Sequence, residues 1–89
     1  MIIRSQDKKR IINFNQITHM ATMFNSRLGQ WEIYACYPYC NDAECGYSTI
    51  AYYFTEEKAL KVLDDIFCAF RNMAYVDVTT FQMPQDSEV

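Results

Sequence analysis

The chain has 89 residues, a net charge of −3 and a sequence pI near 4.9, enough sequence for one domain and too acidic for any general attraction to nucleic acid or anionic lipid. Half of it is hydrophobic (51%) and only two residues each are Gly and Pro, which excludes a disordered or low-complexity chain. Seven Tyr, six Phe and one Trp can build most of a small core, since each buried ring removes about 150–250 Å² from water.

In chain order, residues 1–4 and 10–14 are β-branched runs around a polar centre, SQDKK, the pattern of a β-hairpin. Half of the eight Lys and Arg residues (Arg4, Lys8, Lys9 and Arg10) fall in this stretch. Arg4 is followed by a polar run rather than the apolar segment of a secretory signal. Asn13, Asn15 and Gln16 mark a turn. Residues 17–24 then alternate as a strand, with Ile17, His19, Ala21 and Met23 on one face and Thr18, Met20, Thr22 and Phe24 on the other. Apolar groups on both faces predict a strand covered on both sides, or one face reserved for a partner.

NSRLGQ (25–30) is a loop, 31–37 a strand, 40–46 a second loop and 47–54 a strand rich in aromatic and β-branched residues. TEEKALKVLDDIFCAFRNM has the marks of a helix. Thr55 suits the N-cap, Glu56 and Glu57 oppose the dipole, and Ala59, Leu63, Ile66, Phe70 and Met73 form an apolar stripe widened by Leu60, Val62 and Phe67. Cys68 lies beside that stripe and is expected to pack as a small hydrophobe. Residues 75–83 read as a final strand, and QDSEV after Pro84 as a polar tail. The fold class that follows is α+β: a curled, mainly antiparallel sheet of about five to six strands packed on one amphipathic helix in the C-terminal half. It forms a single domain over 1–84 with a tail at 85–89.

Few residues carry chemistry. Cys40 and Cys45 are a loose pair, with Cys36 and His19 as further donors, but structural zinc favours two close pairs and only one is present. His19 is the sole histidine, and on a strand with apolar neighbours a packed role is the simpler reading. Asp42 and Glu44 are too few for calcium, and Gly29 and Gly46 stand alone, so no phosphate loop is present. No catalytic residue, metal or cofactor is predicted. The absence of an 18-residue apolar run and of a signal sequence predicts a soluble, cytoplasmic protein without a membrane partner. In such a compartment the four Cys are expected to remain thiols.

Surplus aromatic surface points toward protein contacts. Tyr52 and Tyr53 are adjacent in a strand and cannot both face the same helix, so at least one covers something else. The predicted interaction set is Tyr52, Tyr53, Val76, Val78, Phe81 and Met83, the last four on a strand able to pair with a sheet edge.

Three stretches, MIIRSQDKKRIINF, YFTEEKALKVLDDI and FQMPQDSEV, resemble a group of small proteins from Gram-positive (Firmicutes) bacteria and their prophages. These share an M-x-I-R-S-Q-D-K opening, an EEKA-type helix and a closing FQMP. The resemblance implies fold, host and compartment but no chemistry. The function expected is a non-catalytic interaction module that forms a homo-oligomer, dimer or higher, or binds a host protein. Two alternatives are a nucleic-acid accessory protein using Arg4, Lys8, Lys9 and Arg10, with Arg27 alongside, and a metal or thiol protein using Cys40, Cys45 and His19. The acidic charge weighs against nucleic acid as the partner.

Overall fold

The computed structural model describes residues 1–38, 46–72 and 80–89. Chain order is β1 (Ile2–Arg4), β2 (Ile11–Asn13), a 3-10 turn (Phe14–Gln16), β3 (His19–Asn25), β4 (Gln30–Cys36), β5 (Tyr47–Tyr53), α1 (Glu56–Arg71), β6 (Thr80–Gln82) and a closing 3-10 turn (Asp86–Glu88).

Local chemistry sets most of these boundaries. In the β1–β2 turn the Lys8 N–H donates to the Ser5 carbonyl (3.0 Å), and Lys8 takes a left-handed backbone (φ 65°). The Ser5 hydroxyl donates to Asp7 (2.6 Å) and accepts from the Arg10 N–H (3.0 Å). Between β3 and β4, the Asn25 side chain accepts from the N–H groups of Arg27 and Leu28, an Asx turn completed by Gly29 at φ 66°. Thr55 caps α1 by accepting from the Lys58 N–H at 3.2 Å, a contact whose loss typically costs about 1 kcal/mol.

The strands form two three-stranded sheets, β2-β1-β6 and β3-β4-β5. In the first, β1 is antiparallel to β2 but parallel to β6. The second is an antiparallel meander with one irregularity at Ile33/Tyr34. The α+β class is thus observed with its single helix among the described residues, whereas one continuous sheet of five to six strands is not. The break has a local cause. Asn13 accepts from the Asn15 N–H (3.0 Å) and starts the 3-10 turn, so β2 leads away from the ladder instead of pairing with β3.

Both sheets contribute to one core. Ile3, Ile12 and Met83 come from the first sheet and the segment after it, Ile33, Ala35, Ile50, Ala51 and Tyr53 from the second, and Ala59, Val62 and Ile66 from α1. Among the described residues no helix is long and apolar enough to cross a membrane. The segment read as a polar tail is held to the fold. The Phe54 N–H and Lys58 Nζ donate to the Asp86 carboxylate (2.9 and 3.1 Å), Gln85 and Glu88 form a capping box, and Val89 packs against the core.

Candidate functional site

The two ends of the chain meet at a carboxamide clasp. The Gln6 backbone N–H donates to the Ile50 carbonyl (2.8 Å). Its side chain then takes the place of a neighbouring strand: Oε1 accepts from the Tyr52 N–H (2.9 Å) and Nε2 donates to the Tyr52 carbonyl (2.9 Å) and the Pro84 carbonyl (3.2 Å). Gln85 Nε2 donates back to the Gln6 carbonyl (2.7 Å), and Gln82 Nε2 to the Ser5 carbonyl (3.0 Å). Tyr53 donates its hydroxyl to the Pro84 carbonyl at 2.7 Å. Burial, with the nearby Asp86 and Glu88 carboxylates adding to it, pushes that phenol well above its ordinary pKa. The SQD and FQMPQD segments therefore hold the two sheets together.

This assembly decides several of the predicted sites. Tyr53 and Met83 are fully buried in the chain's own core, so neither is a surface contact: Tyr53 alternates onto the helix side of β5, and Met83 follows β6 inward. Phe81 is half-buried opposite Ile3. Tyr52 is 36% exposed, on the face of the sheet opposite Tyr53. Val76 and Val78 lie outside the described residues, as do Cys40 and Cys45.

His19 is exposed at the start of β3, opposite Cys36 in register. Its ring stands edge-on to Tyr34 at 6.4 Å. Among the described residues no three His, Cys, Asp or Glu side chains converge as a metal site would require. Cys68, expected beside the core, is exposed on the outer side of α1, and it and Cys36 carry free thiols. Of the four N-terminal cations, Arg10 donates to the Ser48 hydroxyl (2.6 Å) and the Thr49 carbonyl (3.3 Å), and Arg4 to the Lys8 carbonyl (3.4 Å). The Asp7 carboxylate sits among them. The Ser5 hydroxyl, then the Lys9 N–H, holds its pKa below the usual range, so it stays charged and offsets the cluster. Lys8 and Lys9 are left as exposed cations.

A different surface stands out. The apolar arc of α1 from Val62 round to Leu60 spans about 160° at 100° per residue, more than the sheet covers. Leu60, Phe67 and Phe70 are 45%, 60% and 42% exposed. Lys58 faces the Asp86 side of the helix, next to β5, and Phe67, nine residues on, points about 180° away from it, toward β3. The helix flank and β3 border a groove of about 270 Å³ lined by Met20, Leu63, Ile66, Phe67 and Phe70 together with Phe14 and residues 17–19. Phe24, 49% exposed, extends the strip at the other end of β3, its ring tilted against that of Trp31 with centroids 5.4 Å apart. Sequence periodicity assigned Leu60, Phe67 and Phe70 to the core stripe; the excess width of that stripe was the signal that part of it stays uncovered.

Comparisons with protein-family models, with curated proteins and with solved structures each return no match.

Proposed function

We propose that this chain is a non-catalytic protein-interaction module, cytoplasmic in setting, whose binding surface is the apolar strip of Phe24, Leu60, Phe67 and Phe70 beside β3. The carrying observation is the concentration of large exposed apolar side chains on one flank of one helix, where scattered exposure is the norm for a monomer and a contiguous patch marks an interface. The setting among small Firmicutes and prophage proteins belongs to the same proposal and rests on the motif resemblance of residues 1–14, 53–66 and 81–89.

The test compares the wild type with Leu60→Glu/Phe67→Glu, both exposed positions, in two assays. One is self-association by size-exclusion chromatography with light scattering at tens of micromolar. The other is capture of proteins from a Gram-positive host lysate by the immobilised chain. Association should occur in at least one assay and disappear in the double variant, while Ile11→Glu, 72% exposed on β2 of the other sheet, leaves it intact. Binding that survives the double change, or a wild type inert in both assays, overturns the reading.

A further inference from the structure

We infer that the occupant of this strip is a second copy of the chain, added antiparallel along β3 so that two three-stranded sheets become one of six strands; the inference rests on the interaction reading above and names its partner. β3 is an outer strand of its sheet, and its outer edge has no partner among the described residues. Natural edges are usually blunted by charge, proline or a bulge. HMATMFN contains no Lys, Arg, Asp, Glu or Pro, and its pairing with β4 runs without a register shift from His19 to Asn25.

The strand is also self-complementary. A two-fold axis through Thr22 pairs all seven residues of β3. Met20 meets Phe24 of the second copy and Thr22 meets Thr22 on the helix side, while Ala21 meets Met23 and His19 meets Asn25 on the other. No like charges face each other, and the Met–Phe pairs add sulfur–aromatic contact.

The helix supplies an independent match. α1 starts beside the end of β5 and runs back antiparallel to β3, so its C-terminal half borders the groove at residues 17–20. Its 16 residues and the seven of β3 both span roughly 23–24 Å, which sets the helix midpoint near Thr22. The axis that pairs β3 with itself therefore lays the two helices antiparallel on one face. Leu60 then faces Phe67 of the second copy, and Glu56 faces its Arg71. Arg71 already lies on that flank, its guanidinium 6.0 Å from the Phe67 ring. With side chains of roughly 200 Å² each, exposed at 42–60%, the strip holds on the order of 400 Å² of apolar surface. That is about half of the roughly 800 Å² a stable interface takes from each partner, and the strand edge with Ile17, Met20 and Met23 provides the rest.

Sedimentation over a concentration series should show a dimer by tens of micromolar; a monomer up to 100 μM overturns this inference and leaves the interaction reading to its host-protein arm. Mild oxidation of Thr22→Cys should give a disulfide between the two introduced thiols, mapped by mass spectrometry, in large excess over Ala21→Cys, whose register partner is Met23. Phe24→Lys, at an exposed position, should raise the dimer dissociation constant at least ten-fold with an unchanged circular dichroism spectrum. A dimer that persists in Phe24→Lys and gives no link through position 22 uses another surface, which refutes the β3 geometry while self-association stands.

Discussion

Replacing Gln6 by Ala removes one side chain and unpairs three backbone groups: the N–H and C=O of Tyr52 and, in part, the Pro84 carbonyl. A hydrogen bond of this kind contributes a net 0.5–1.5 kcal/mol or so. Tyr52 is 36% exposed, so water partly replaces what is lost, and the expected cost falls near the low end of the sum, about 2 kcal/mol. For a domain of this size that corresponds to a drop in Tm of roughly 10 °C. Urea unfolding should show the midpoint falling at unchanged slope, because the core surface exposed on unfolding is the same. Gln6→Glu sharpens the test. It can still accept from the Tyr52 N–H but presents a carboxylate to two carbonyl oxygens, so at neutral pH it should be at least as damaging as Ala. A Gln6→Ala variant within 0.5 kcal/mol of wild type would refute the idea that this amide joins the sheets.

Two further outcomes concern the C-terminal segment. The Phe54 N–H, with Lys58 adding to it, holds the Asp86 carboxyl below its ordinary 3.8; a depressed pKa stabilises the folded state above that ordinary value and the benefit is lost as pH falls through the lower folded one. The stability gap between wild type and Asp86→Asn should be present at pH 7 and close as the pH is taken below 3.8, which chemical unfolding at several pH values will show. Tyr53→Phe keeps the ring in the core but removes its hydroxyl donor to Pro84; calorimetry should find a loss of about 1 kcal/mol, the net value of one hydrogen bond, since Gln6 still donates to that carbonyl.

What the sequence made legible was local. SQDKK between β-branched runs, the Asn25–Gly29 turn, and Thr55-Glu56-Glu57 before a 3.6-residue period each carry their own backbone instructions, and each is observed where expected. Alternation separated Tyr52 from Tyr53 but could not say which faced inward. The division into two sheets, the parallel β1–β6 pair and the clasp depend on contacts between residues far apart in sequence, such as Gln6 with Tyr52 and Pro84, and a side-chain amide standing in for a strand has no periodicity. For the binding strip, the period of α1 located the apolar stripe. How much of it the sheet would cover depended on how the helix is turned, and the Lys58–Asp86 pair that marks its other flank spans 28 residues.

The parallel pairing of β1 with β6 has a consequence in time. Gln6 and Pro84 are 78 residues apart, and closing such a loop costs about 4 kcal/mol of chain entropy, against about 1 kcal/mol for the four-residue β3–β4 turn. The meander and its helix can therefore assemble before the chain ends are joined, and the clasp is the step on which folding waits. Pulse-labelled amide exchange during refolding should protect β3, β4 and β5 ahead of β1 and β6; the reverse order would contradict this. Opening from the native state should run backwards along the same path, the ends parting while the β3 edge and the helix flank beside it remain formed.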